Sequence, residues 1–173
     1  MFKYEIGFIG GGNMASAMIE RFVESKVIAP EKILVCDKNA CKLDKFNSIN
    51  CAVTFEVERV IKECKISFIA VKPQAFNALK DIFEDNVKSE VIISIMAGKT
   101  KASIKEVVGN DYSSIVRLMP NLACRYGEGV TLAELSSICD SEKANIKKLL
   151  SALGLIMEIE EKDFNFCSAV SGC

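Results

Sequence analysis

The chain has no histidine among its 173 residues, and that gap is the first constraint on its chemistry. Histidine is the side chain that ordinarily titrates near neutral pH and is a common metal ligand. Its absence excludes an imidazole acid or base and the usual zinc patterns, so no metal is expected. Charge of one sign is lacking as well, since 22 Lys and Arg stand against 23 Asp and Glu. That balance builds no global field for nucleic acid or an anionic membrane, and it points to a small molecule in a cleft. No apolar run approaches membrane-spanning length. Gly7, Gly10, Gly11 and Gly12 interrupt the one apolar stretch near the start, so no signal peptide is expected. Internal repeats, low-complexity tracts and linkers are missing too.

What is present suits one domain of ordinary size with a fragment of a second, because half of the residues are hydrophobic and can build a sizeable core. The eight cysteines, Cys36, Cys41, Cys51, Cys64, Cys124, Cys139, Cys167 and Cys173, include no CxxC pair, and several fall inside apolar runs. They read as scattered small residues in a reducing, cytoplasmic setting rather than as a disulfide framework.

Apolar runs alternate with helical patterns along the chain, which predicts an α/β, Rossmann-like fold, a mostly parallel sheet with helices on both faces. Strands are predicted over residues 5–9, 33–36, 52–54, 66–71, 91–95, 114–118, 129–132 and 155–159. Helices are predicted over 14–25, 57–64, 74–84, 102–108 and 142–153, the last with Ser141 as N-cap and Gly154 as stop.

The most informative stretch is Ile6-Gly7-Phe8-Ile9-Gly10-Gly11-Gly12-Asn13-Met14-Ala15, an apolar strand running into a glycine turn and then a helix. In the pattern Gly10-x-Gly12-x-x-Ala15 the first glycine permits the tight turn and the second lets a pyrophosphate approach bare backbone. The small third residue lets helix pack on strand. Phosphates would sit at the helix N-terminus, where unpaired N–H groups and the dipole favour negative charge. The helix carries Met14, Met18, Phe22 and Val23 on one face. Asp37 ends the next apolar run, 25 residues after Gly12, where an acid would meet an adenosine ribose.

Three further segments should reach the carboxyl ends of strands, where open α/β sheets bind ligands. In Ala70-Val71-Lys72-Pro73, the proline fixes a turn and pushes Lys72 toward an extended conformation. Lys72 is then either a contact for phosphate or ribose, or a solvated lysine. Met96, Ala97 and Gly98 offer small residues against which a flat ring or a phosphate bridge could lie. In Met119-Pro120-Asn121 a strand ends at a proline and delivers an amide that can donate and accept, or serves as a turn asparagine. With no histidine as acid, reduction of a C=N bond suits the chain better than reduction of a carbonyl, because a protonated imine already draws hydride.

Together these motifs resemble the pyrroline-5-carboxylate reductase family, the last enzymes of proline biosynthesis. The resemblance rests on the glycine turn, on Ala70-Val71-Lys72-Pro73, on Ser94-Ile95-Met96-Ala97-Gly98-Lys99-Thr100, on Val116-Arg117-Leu118-Met119-Pro120-Asn121, and on the closing Ala169-Val170-Ser171-Gly172-Cys173. It implies an oxidoreductase that reduces 1-pyrroline-5-carboxylate to L-proline with NADPH or NADH as a homo-oligomer. It further implies that residues 1–160 form the cofactor-binding domain and that 161–173 begin a helical dimerisation and substrate domain. Catalytic groups are then expected beyond Cys173, so this chain binds cofactor and turns over little or nothing. By the same resemblance Ile9, Gly10, Gly11, Gly12, Asn13 and Met14 hold the pyrophosphate, and Asp37, Lys38 and Asn39 face the adenosine ribose. Ala70, Val71, Lys72 and Pro73 run beside the dinucleotide, Met96, Ala97 and Gly98 line the nicotinamide side, and Met119, Pro120 and Asn121 lie near the substrate. Many family members place serine, threonine or arginine where Asp37 stands. A carboxylate there should repel a 2′-phosphate and favour NADH unless Lys38 and Lys42 compensate, and Asp37→Ser should then shift preference toward NADPH. Two rival expectations are a hydroxyacid or phosphogluconate type of dehydrogenase, and a non-catalytic nucleotide-binding sensor module.

Overall fold

The computed structural model describes residues 1–84 and 86–171, so Gly172 and Cys173 of the closing motif lie outside the described residues. Among those residues eight strands form one sheet in the order β3-β2-β1-β4-β5-β6-β7-β8, with β1 Tyr4–Ile9, β2 Ile33–Cys36, β3 Ala52–Thr54, β4 Cys64–Ile69, β5 Val91–Ser94, β6 Ile115–Pro120, β7 Gly129–Glu134 and β8 Gly154–Glu158. The first six are mutually parallel. β7 runs antiparallel to β6, and β8 is parallel to β7. Strand order reverses between β1 and β4, the crevice where doubly wound sheets bind nucleotides.

The central strands read as unbroken apolar runs because both faces are covered. One face packs α1 (Asn13–Glu24), α2 (Ala40–Asn47) and α7 (Asp140–Leu150) around Ile6, Phe8, Val35, Phe68 and Ile93. Here Phe8 and Phe68, paired in register across β1 and β4, stack with centroids 4.4 Å apart. The other face packs α3 (Val57–Glu63) and α6 (Lys101–Val108) around Ile9, Leu34, Ile69 and Ile92, with α4 (Pro73–Phe76) and α5 (Lys80–Phe83) closing that side. α8 (Glu161–Ser171) lies against β7 and buries Phe164.

Several boundaries differ from the sequence reading, each for a local reason. α2 was not expected, because only Leu43 and Phe46 of its eight residues are buried and its periodic signal is correspondingly weak. The single helix expected over 74–84 is split into α4, a 3₁₀ turn at Asn77–Leu79 and α5. α7 starts earlier than expected and its cap is Cys139 rather than Ser141, because the Glu142 carboxylate reaches back to accept the Cys139 N–H at 3.0 Å. That helix ends at Leu150, and Gly154 opens β8 instead of stopping a helix. Cys64 opens β4 instead of closing α3, and β4 stops at Ile69, two residues short of the expected Val71. β5 stops at Ser94 rather than residue 95, and β6 extends through Met119 and Pro120, which therefore belong to the strand. The buried stripe of α1 is Ala15, Ser16, Ala17, Met18, Ile19 and Phe22, with Met14 and Val23 at its edges.

Candidate functional site

Gly10 leaves β1 with φ +106°, a left-handed conformation, and a Cβ there would come within 2.6 Å of the Ala70 carbonyl oxygen. Both facts require glycine. The turn is bolted to its neighbours: the Gly10 N–H donates to the Cys36 carbonyl at 2.7 Å, and the Ala70 N–H donates to the Ile9 carbonyl at 2.8 Å. The ends of β2, β1 and β4 therefore meet at one point.

Gly12 is different. A Cβ on it would meet nothing within 4 Å, so this backbone faces open space. Gly12 is also the N-cap of α1, it supplies no side-chain hydrogen bond, and no acidic residue stands in the first turn. The positive end of a twelve-residue helix thus points outward beside bare backbone, the arrangement that receives phosphate. A diphosphate bridge fits this chain at that place on steric and electrostatic grounds.

On one side of the turn stands Asp37, directly after β2. Its Oδ2 accepts the Gly11 N–H at 2.9 Å and lies 3.2 Å from the Lys42 ammonium, and its Oδ1 accepts the Asn39 N–H at 2.9 Å. Burial works against the charged form, but the two amides and Lys42 outweigh it and hold the carboxyl below its ordinary value. The neighbouring Cys36 thiol is pushed up to about 11, chiefly by burial and also by the charges of Asp37 and Glu56, which leaves it an inert core residue. Lys38 and Asn39 are exposed, and the Asn39 side-chain oxygen caps α2 by accepting the Cys41 N–H at 3.0 Å.

On the other side lie the remaining segments, in the order of the strands. Ala70 and Val71 are half-buried; Lys72 is exposed and extended, with φ −63° and ψ 140°, and Pro73 opens α4. Met96 is buried, while Ala97 and Gly98 are exposed, Gly98 with φ +71° and open space beside it. Met119 is half-buried and Pro120 buried within β6; Asn121 follows the strand, and its side-chain oxygen accepts the Val130 N–H at 3.3 Å. That bond commits the amide oxygen to joining the start of β7 to the end of β6. The structure therefore brings Ile9 to Met14, Asp37 to Asn39, Ala70 to Pro73 and Met96 to Gly98 to one rim, with Met119 to Asn121 at its far end beside β5.

Sequence reasoning missed the ion cluster behind this rim. Arg117, 1% exposed in β6, lies 3.0 Å from Glu161 and donates to Asn165 at 3.0 Å. Glu134, its partner in register on β7, pairs with Lys101. Burial opposes ionisation of Glu134, but Lys101 and Ser136 hold its carboxyl below the ordinary value. The one available signal was a charged residue interrupting the apolar run Ile115-Val116-Arg117-Leu118. A cleft of about 470 Å³ lies at the opposite rim, at the start of β1, β4 and β5, where Ile6, Ile66 and Val91 meet Ile146 and Leu149 of α7. It has no part in the arrangement just described.

Residues 5–98 match the family model described as "NADP oxidoreductase coenzyme F420-dependent". Pyrroline-5-carboxylate reductase 3 of Danio rerio is 32% identical over 158 residues, a match covering 90% of this chain and 54% of that protein. Among solved structures, a Plasmodium falciparum pyrroline carboxylate reductase with NADP bound superposes with a TM-score of 0.80 at 27% identity, covering 100% of this chain and 64% of that one. A pyrroline-5-carboxylate reductase from Coxiella burnetii gives 0.84 at 27% identity, covering 98% and 64%. The chain thus spans a little over half of the curated relative and under two thirds of either structure. Among the described residues no helix is long and apolar enough to cross a membrane.

Proposed function

From the family to which this chain belongs, that of the coenzyme F420-dependent NADP oxidoreductases, we propose that it binds NADPH or NADH across the carboxyl rim of β1, β4 and β5. We further propose that it is the cofactor half of a pyrroline-5-carboxylate reductase. The observation that carries the reading is the pairing of Gly10 and Gly12. One glycine is sterically forced at the strand-order reversal, and the other is left open at the uncapped N-terminus of α1.

When bound, the dinucleotide would supply hydride to the imine carbon of 1-pyrroline-5-carboxylate, whose nitrogen takes up a proton to give L-proline. This chain's own part is to bind and orient. The amides of the α1 first turn hold the diphosphate. Asp37, Lys38 and Asn39 receive the adenosine ribose, Ala70 to Pro73 flank the dinucleotide, and Met96 to Gly98 form the floor beneath the nicotinamide. Met119 to Asn121 border the space left for substrate. Residues 1–160 constitute this cofactor unit, and α8 begins the part of the reductase that completes the substrate pocket and the homo-oligomer. The seven described cysteines are all free, in keeping with a cytoplasmic enzyme.

Titration of the chain with NADPH and NADH, read by nicotinamide fluorescence, tests the binding half. Gly12→Val fills the open space and should weaken both cofactors by about 100-fold, a cost of the order met on overpacking, while lowering stability to urea by no more than about 1 kcal/mol, the scale of a poorer N-cap. Undiminished binding by that variant would remove the turn from the site. Assay of proline formation tests the reductase half, with slow or no turnover expected from the chain on its own.

A further inference from the structure

We infer that Lys42, rather than Asp37, decides whether this rim takes a 2′-phosphorylated or an unphosphorylated adenosine, an inference that rests on the dinucleotide reading above. The Asp37 carboxylate is largely consumed within the protein. Three N–H donors reach it, the amides of Gly11 and Asn39 at 2.9 Å each and the Lys42 ammonium at 3.2 Å. An ionised carboxylate has about four acceptor positions, and this one keeps only 9% of its side-chain surface exposed. Its work is to clip the glycine turn to the loop before α2. A ribose hydroxyl seeking the usual carboxylate acceptor finds about one position left on it.

Lys42 is placed otherwise. Its side chain is 47% exposed, and its ammonium covers the Asp37 oxygen that also holds Gly11. Leu43 and Phe46, buried on the same helix, hold α2 against the sheet, and a Cβ on Gly11 would come within 2.8 Å of the Phe46 ring. The lysine is therefore delivered to the ribose position from a fixed helix. It acts twice on an incoming 2′-phosphate: it masks the carboxylate that would repel the phosphate, and it supplies a cation able to form a charge-assisted hydrogen bond. Asn39, fixed as the α2 cap through its side-chain oxygen, can offer only a neutral amide N–H and no charge.

The test uses the unmodified chain, Lys42→Met, Lys42→Arg and Asp37→Ser, each titrated with NADPH, NADH, adenosine 2′,5′-bisphosphate and 5′-AMP. The last two probes isolate the adenosine half from any hydride chemistry. Lys42→Met should lose about tenfold or more in affinity for NADPH and the bisphosphate, the scale of one charge-assisted bond. NADH and 5′-AMP should change little, and Lys42→Arg should retain the wild-type ratio. Asp37→Ser should weaken all four ligands together, because the clip on the glycine turn is lost. Equal losses across the four ligands in Lys42→Met, or an NADPH preference gained by Asp37→Ser, would overturn the inference. If the unmodified chain binds none of the four, the dinucleotide reading itself falls and takes this inference with it.

Discussion

Two glycines two residues apart in one motif do opposite things. Gly10 is required by the fold, with a left-handed φ and the Ala70 carbonyl 2.6 Å from a would-be Cβ, whereas Gly12 has open space around it and no steric need within the chain to be glycine. Gly10→Ala should therefore lower unfolding stability by about 3 kcal/mol, the combined scale of backbone strain and overpacking, measured by urea denaturation. A stability within experimental error of the parent would mean that the turn relaxes and that the contact with Ala70 is not obligatory. Asp37 makes a related point at the same scale. Its position after β2 was legible from spacing, but its partners were not, because the Gly11 amide it accepts lies 26 residues away in the chain.

Among the elements, α8 owes its place to charge as much as to apolar contact. Arg117 emerges from β6 into the space between the sheet and α8, with Phe164 stacked 3.9 Å from its guanidinium carbon and Glu161 and Asn165 on its nitrogens. Glu161 also accepts the backbone N–H of Lys101 at 3.1 Å, at the start of α6, so one carboxylate joins α8 to the helix that follows the Met96–Gly98 turn. Removing the cation leaves Glu161 with the Lys101 backbone N–H alone and takes the donor from the Asn165 side-chain oxygen. Arg117→Met is accordingly expected to cost about 1–3 kcal/mol, since the Glu161 side chain left behind is 36% exposed and water screens its charge. It should also speed amide hydrogen exchange in α8 ahead of the β1–β4 core. Uniform exchange across the chain in that variant would show that α8 is held by Phe164 rather than by the ion cluster.

For the molecule as a whole, the balance of charge hides a bias in where carboxylates are paired. Asp37, Glu63 and Glu134 all have their carboxyls held below the ordinary values of 3.8 for aspartate and 4.5 for glutamate. In the two more buried cases, Asp37 and Glu134, hydrogen bonds and cations overcome the opposing effect of burial; at the half-buried Glu63 the bond from Arg59 dominates. A depressed folded value means that each carboxyl contributes stability above its unfolded value, and that this contribution disappears as pH falls through the folded one. Stability to urea should hold steady from neutrality down to about pH 5 and then decline on acidification through the ordinary carboxyl range. Asp37→Asn should show a shallower decline than the parent. A flat profile from pH 6 to about pH 3 would mean that these three groups carry no differential charge between folded and unfolded chains.

How far the fold could be read depended on whether its cause was local. The α/β alternation, the glycine turn and the carboxyl-rim segments were legible because strand burial, a left-handed glycine and a proline-fixed turn are properties of a few adjacent residues. The short helix α2, the antiparallel entry of β7 and the Cys139 cap were not, since each turns on weak amphipathicity or on one reaching side chain. By its residues alone this chain determined that a strand, a bare turn and an uncapped helix would present backbone amides to an anion. Only tertiary structure decided that Asp37 would be consumed by that turn, that Lys42 would stand over it, and that Arg117 would find Glu161 on α8. Pairings across such separations are chosen by how the layers pack, and no stretch of sequence carries the geometry of its neighbours.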